Sequence, residues 1–259
     1  IAMVEKTTPA LEFWQRLNRN RLSTVGLLML GLIFVLCLMT PWLPLPDPDA
    51  TDLANRLKTP LTSNHLLGTD ELGRDLLSRL LWGTRVSLVV GFVATLAAAL
   101  VGSLIGLVSG YFQGWIDSGL MRGVDTLMAF PYMLLALAIV AAFGPGLLNA
   151  LFAIAIVNVP FFARTVRGAT ISLVQREFVL AARLGGASHF GVLWRELLPN
   201  ILPVIVVTIS TTAGWMILET AGLSFLGLGA QPPTADLGSM LGEGRKLLFT
   251  APHVSTLPG

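Results

Sequence analysis

Residues 126–163 read TLMAFPYMLLALAIVAAFGPGLLNALFAIAIVNVPFFA, thirty-eight positions without an Asp, Glu, Lys, Arg or His. A helix crosses the hydrocarbon core of a bilayer, about 30 Å thick, with about 20 apolar residues, so this stretch is too long for one crossing. Gly144-Pro145-Gly146 stand near its middle and interrupt a helix. The stretch is predicted as two spans joined by a tight hairpin, and the chain as an all-α integral membrane protein.

The rest of the chain extends that pattern. It is 54% hydrophobic and 12% charged, whereas soluble domains carry roughly a quarter charged residues. The charges are clustered between long uncharged stretches. Residues 22–46 form a first predicted span, 86–116 hold a second, and 197–218 form a fifth that begins with Pro199 and Pro203. In the second, Gly102, Gly106 and Gly110 recur every four residues and give a smooth face for close helix packing. The predicted organisation is an N-terminal segment (1–21), a first span (22–46), an outer segment (47–85) and a core (86–259). The core holds spans two to five, an inter-span loop at 164–198 and a further outer segment from about residue 223. A net charge of +2, with no basic run interleaved with aromatics, gives no footprint for nucleic acid. Cys37 is the sole cysteine, so neither an internal disulfide nor a cysteine metal cluster can form. Met3 reads as the natural start, and the first apolar run as a retained anchor, being too long for a signal-peptide core.

Orientation follows from Lys and Arg. Lys6, Arg16, Arg19 and Arg21 precede the first span, and Arg164, Arg167, Arg176, Arg183 and Arg195 follow the fourth. Four spans separate the two groups, which therefore share one side, predicted to be the cytoplasm. On the opposite side, Asp47, Asp49, Asp52, Asp70, Glu71 and Asp75 offset Arg56, Lys58, Arg74, Arg79 and Arg85. Ala10, Phe13, Trp14 and Leu17 recur at helical spacing and read as a short interfacial helix, or as a chance pattern in a tail.

The loop after the fourth span reads FVLAARLGGAS at residues 178–188 and VLWRELLP at 192–199. A short helix with small residues, Ala181 and Ala182, is followed by a turn at Gly185-Gly186 and a second helix directed at the membrane. Small side chains admit another surface closely, and the glycines allow the reversal. The spacing alone fits an ordinary amphipathic loop equally well.

This loop resembles the coupling loop of importer permeases of the ATP-binding-cassette superfamily, whose pattern is Glu-Ala-Ala, three residues, Gly, nine residues, Ile, one residue, Leu-Pro. Ala181, Ala182, Gly186, Leu198 and Pro199 match; Leu180 stands at the family's Glu, and Glu196 at its Ile, with Leu197 the apolar replacement. A second likeness is to the "C" subunit of the dipeptide, oligopeptide and nickel permeases. It is carried by HLLGTDELGRDLLSR at 65–79, Gly83, Arg85, Ser87-Leu88, MRGVD at 121–125, Phe130-Pro131, FGP at 143–145 and LGLGAQPPT at 226–234. The resemblance implies a type I importer transmembrane domain of six spans, of which five are present here, the sixth being expected after the region that ends at Gly259. It also implies a place in a bacterial inner membrane, N-terminus inside, beside a homologous permease, two cytoplasmic ATPases and an extracytoplasmic binding protein. Val179, Leu180, Ala181, Ala182, Arg183, Gly186, Ala187 and Ser188 would meet the ATPase. The chain has no Gly-x-x-x-x-Gly-Lys-Ser/Thr loop around Lys6, Lys58 or Lys246. No cofactor is expected in it, ATP and Mg being held by the ATPases.

Charges near membrane depth are functional candidates. Arg122 and Asp125, three residues apart, are predicted to form a structural ion pair. Glu219, near the outer end of the fifth span without a local cation, reads either as a pathway or gate group or as a structural hydrogen-bonding group. His65, His189 and His253 lack metal-ligand spacing. Residues 69–81 alternate charged and leucine positions and are predicted as an amphipathic helix along the outer surface, supported by Asp70 and Arg74. An ion-coupled transporter would show an internal repeat, which is not detected. An intramembrane enzyme would need paired catalytic groups, whereas Glu219 and Asp125 belong to opposite ends. The solute is not specified: peptides lead by resemblance, followed by nickel, glutathione or opine-type solutes.

Overall fold

The computed structural model describes residues 21–62 and 65–259; the predicted interfacial helix lies outside these. Two units are distinguished, residues 1–45 and 46–259. The first contains α1 (Arg21–Met39), an uncharged helix after its first residue, closed by a short 3-10 turn, Thr40–Trp42. The second contains α2 (Leu76–Phe112), α3 (Gly114–Met128), α4 (Tyr132–Phe143), α5 (Leu147–Val174), α6 (Glu177–Leu184), the helical turn α7 (His189–Gly191), α8 (Leu198–Phe225), α9 (Leu237–Gly244) and α10 (Pro252–Thr256). No strand occurs among the described residues, only two isolated bridges. Four helices are long and apolar enough to cross a membrane, and the bent pair α3–α4 makes a fifth crossing if counted as one.

The hairpin after Phe143 forms as its sequence predicts. Gly144 and Gly146 sit at φ +94° and +152°, and Asn149 Nδ2 closes the turn by donating to the carbonyls of Phe143 and Gly144 at 3.1 and 2.9 Å. The span before it differs from expectation. α4 has 12 residues, which reach only about 18 Å, so α4 cannot cross alone. It continues α3 across an 87° bend at Ala129-Phe130-Pro131, where the proline ring denies the preceding residue a helical conformation.

α2 and α5 run parallel and form the centre of the fold. A methyl at Gly102 would lie 2.6 Å from Val159 O, one at Gly106 would collide with Ala163 O, and one at Gly110 would lie 2.7 Å from Thr170 Cβ. The two backbones are therefore in contact along three turns. Val90, Ala94, Ala98, Ile154, Phe162, Met216 and Leu223 fill the space between α2, α5 and α8. The outward faces carry large exposed apolar side chains such as Phe92, Leu100, Val207 and Leu218, as lipid or another apolar helix requires.

α2 has 37 residues, about 55 Å, and so overreaches a bilayer core. Its first turns are fixed in a polar segment rather than on a surface helix, which corrects the prediction for 69–81. The Asp70 carboxylate accepts the backbone N–H groups of Leu72 and Arg74, both at 2.9 Å, a local bond that competes with helix. Gly73, at φ +76°, faces Asp52 O where no side chain would fit. Helix begins only after Asp75, whose carboxylate caps it by accepting from Ser78 N at 2.9 Å. The Asp70–Arg74 pair does form, Nε to Oδ2 at 2.6 Å, but within this turn. Arg79, 1% exposed, donates through Nη1 to the carbonyls of Pro48 and Pro233 at 3.1 and 3.4 Å. Ser87 Oγ donates to Asp236 Oδ1 at 2.8 Å, and Arg74 Nη2 to Glu243 Oε2 at 3.1 Å. These bonds join the segment before α2 to the loop and helix after α8.

Two glycines separate packing from propensity. Gly106→Ala is expected to destabilise the protein by about 1–3 kcal/mol, because the methyl meets backbone. Gly123→Ala on α3, where nothing lies within 4 Å, is expected to stabilise by up to about 1 kcal/mol. Thermal unfolding of the detergent-solubilised protein reads both; equal effects would show that α2 and α5 are not in backbone contact.

Candidate functional site

The loop between α5 and α8 is anchored by Val179 on its first helix and by Val192, Leu193 and Leu197 at its far end, and is open between them. Val179, fully buried, enters a cluster made by Leu107, Tyr111, Val166, Val192, Leu193, Leu197 and Ile201. Its neighbours Leu180, Ala181, Arg183, Gly186, Ala187 and Ser188 are exposed, and Ala182 is half-buried. Leu180 and Leu184, 58% and 82% exposed, lie on the open side of α6 with Phe190 beyond the turn, an apolar surface of the kind that marks an interaction site. Gly186 takes φ +81°; the N–H of Gly185 donates to Ala181 O at 2.9 Å and that of Ala187 to Ala182 O at 3.0 Å, which closes the helix in the left-handed manner that glycine favours. Ser188 Oγ accepts from Gly191 N at 3.2 Å and opens α7. The chain then passes through a π-turn, Val192–Leu197, into α8. Tyr111, the penultimate residue of α2, holds both sides of the loop: its Oη lies 2.8 Å from His189 Nδ1, and the Arg183 guanidinium stands 4.9 Å from its ring centroid.

The polar loop is shorter than the predicted 164–198, since α5 continues to Val174 and carries Arg164 and Arg167 on its last turns. These arginines meet the acids of α3. Arg167 donates through Nε and Nη2 to the two oxygens of Asp117, each at 2.6 Å, a two-pronged geometry that suits guanidinium and carboxylate. Ser109 Oγ also donates to Asp117. Arg164 Nη2 meets Asp125 Oδ1 at 2.6 Å. The predicted Arg122–Asp125 pair is therefore corrected: Asp125 pairs with Arg164, which the packing of α5 against α3 brings to the carboxylate.

Glu219 is 5% exposed and lies between α8 and α5. Asn158 Nδ2 donates to its Oε2 at 2.7 Å and Trp215 Nε1 to its Oε1 at 2.5 Å. Both oxygens are therefore satisfied by neutral donors, as burial demands. Asn158, the one amide of the otherwise apolar run 150–163, was the available sequence signal for this contact. His65 Nδ1 lies 2.9 Å from Asp75 Oδ1, far along the chain from His189 and its partner Tyr111, and no group of metal-ligating side chains is assembled among the described residues.

The sequence profile described as "Binding-protein-dependent transport system inner membrane component" matches residues 102–258, and "N-terminal TM domain of oligopeptide transport permease C" matches residues 8–60. The chain belongs to the binding-protein-dependent permease family. The permease is 42% identical over 252 residues to "Dipeptide transport system permease protein DppC" of Alkalihalophilus pseudofirmus, covering 97% of this chain and 83% of that relative. It is 42% identical over 251 residues to "Glutathione transport system permease protein GsiD" of Pectobacterium atrosepticum and 44% to that of Shigella flexneri serotype 5b, with the same coverages of 97% and 83%. Its fold is that of a chain in the inward-facing MetNI methionine ABC transporter, with TM-score 0.59 and 19% identity, covering 71% of the permease and 87% of that chain. The permease is thus a C-type subunit of an ATP-binding-cassette importer with a type I transmembrane domain.

The Glu219 cluster gives a coupled prediction. Glu219→Gln replaces one acceptor by an amide that faces a donor, and is expected to cost about 1–3 kcal/mol. Trp215→Phe removes one of the two donors. In the double variant the glutamine oxygen can turn to Asn158, so the combined loss in thermal stability is expected to be smaller than the sum of the single losses; simple additivity would rule out the bonding described.

Proposed function

We propose that this permease forms half of the translocation pathway of a di- and oligopeptide importer in a bacterial cytoplasmic membrane, with its N-terminus in the cytoplasm. A homologous permease supplies the other half, two cytoplasmic ATPases hold ATP and Mg, and an extracytoplasmic binding protein delivers the solute. The observation that carries this reading is the loop with Val179 inserted and Leu180 and Leu184 exposed. It lies beyond α5 in the arginine-rich part of the chain, where the preference for positive charge on the cytoplasmic side puts it within an ATPase's reach. Val179, Leu180, Ala181, Ala182, Arg183, Gly186, Ala187 and Ser188 form the docking element in this account. Coupling requires that the ATP-bound state bind the two permease conformations with different affinity, and an exposed apolar helix on a fixed peg is a means of transmitting that difference.

The dipeptide reading draws on the relative named for dipeptide transport. Glutathione is the second reading, favoured by the relatives named for glutathione transport. Glu219 we assign to bracing α5 against α8, because both its oxygens are occupied by side chains of those helices. The Arg167–Asp117 and Arg164–Asp125 pairs brace α3 against α5 in the same way.

The test is uptake by proteoliposomes holding the complete transporter with its binding protein. Labelled dipeptide is expected to accumulate with ATP on the cytoplasmic face and after ion gradients are dissipated, whereas uptake on an ion gradient without ATP would overturn the proposal. Competition by excess glutathione separates the two solutes. Gly186→Val forces a β-branched residue into a left-handed conformation, at a cost of about 1–2 kcal/mol, and is expected to depress uptake more than ATP hydrolysis; equal depression would argue against a coupling role for the turn.

A further inference from the structure

We propose that Tyr111 is a positioning residue that fastens the ATPase-docking loop to the end of α2, so that displacement of the loop moves the long helix with it. The proposal rests on the reading of that loop given above.

The argument begins with the number of attachment points. An eight-residue helix held only by Val179 is free to swivel about that side chain. Arg183 is one turn further on the same face of α6, and its guanidinium lies 4.9 Å from the centroid of the buried Tyr111 ring. Beyond the Gly185-Gly186 turn, His189 Nδ1 lies 2.8 Å from Tyr111 Oη, and the His189 ring stands 5.6 Å from that of Phe112, the last residue of α2. One side chain therefore engages both arms of the loop, with a π face for a cation and a hydroxyl for an imidazole. Phenylalanine would keep the first contact and leucine neither. At the opposite end of α2, Ser78 and Arg79 are bonded to the segment before α2, as is the capping Asp75 through His65, while Arg79 and Ser87 are bonded to the loop after α8. A push on the loop, transmitted at Tyr111, would thus reach the far side along one continuous helix. Val179, the one buried side chain of α6, would by itself let that helix tilt and dissipate the same push.

The test uses the complete transporter in proteoliposomes with its binding protein and a labelled dipeptide, and reads dipeptide accumulated per ATP hydrolysed alongside recovery of the assembled complex. Tyr111→Phe and the exposed His189→Ala are each expected to lower the ratio about fivefold, the order of one hydrogen bond. Their double variant is expected to be no lower than either, because both remove the same bond. Tyr111→Leu, which also removes the cation contact, is expected to lower it further. An unchanged ratio in Tyr111→Phe and His189→Ala, or losses that multiply in the double variant, would overturn the proposal even if Tyr111→Leu failed to assemble. A wild-type transporter without ATP-dependent uptake would refute the loop's docking role and this inference together; wild-type uptake with unaltered variant ratios would refute only the role of Tyr111.

Discussion

The contact of α2 with α5 along Gly102, Gly106 and Gly110 is the constraint on which the other features depend. Lipid is as apolar as leucine, so burial of apolar surface gives membrane helices little reason to associate, and close packing has to supply it. Because these three glycines put no side chain between the helices where they cross, the helix ends are placed closely enough for short polar bonds to form. At one end the Asp117 carboxylate accepts from both Ser109 of α2 and Arg167 of α5. Beside them Tyr111 and Leu107 of α2 and Val166 of α5 form the socket for Val179. A larger residue at Gly106 would separate the helices and move every one of these groups.

The length of α2 turns this packing into a mechanical link. The helix is too long for the bilayer core, and both overhanging ends are tied down. The first is held by a capping aspartate and a buried arginine whose partners are carbonyls from segments on either side in sequence. The second is held in the apolar socket and by the Tyr111 contacts. Between them, the hinge before Pro131 leaves α3 and α4 as separate pieces. The attachment of α3 to α5 through Arg164 and Arg167 is ionic, and so directional and reversible in a way that the glycine packing is not, whereas α4 joins α5 in the apolar core through Ala136 and Val140.

How much of this was legible in the sequence depends on the range of each interaction. The first, second, fourth and fifth spans were, because a charge is excluded from lipid wherever it stands, and so was the 144–146 hairpin, because glycine and proline act locally; the third was not, since it is the short α4 joined to the charged α3 across a bend. The helix and turn at 178–188 were legible from small residues and a double glycine, though the docking role proposed for them came from resemblance, and the insertion of Val179 was not legible, since Val179 and Leu180 are alike in sequence and differ only in what packs on them. Pairing over distance was beyond spacing rules. Asp125 finds Arg164 39 residues away, Asp117 finds Arg167 50 residues away, and Glu219 finds Asn158 61 residues away. For residues 69–81 the helical charge spacing was present, but Asp70 bonds backbone N–H groups at closer range and Gly73 has room for no side chain, so the turn prevailed over the periodicity.

The central claim is that the exposed side of α6 meets an ATPase in the cytoplasm. The most direct measurement is cross-linking from a single cysteine at Leu184, in a Cys37→Ala background, in membranes that also contain the ATPase subunits. The account predicts an adduct with the ATPase whose yield changes when ATP is added, and labelling of the same cysteine by an impermeant thiol reagent only after sealed right-side-out vesicles are opened. Ready labelling of the closed vesicles, with no ATPase adduct, would contradict it.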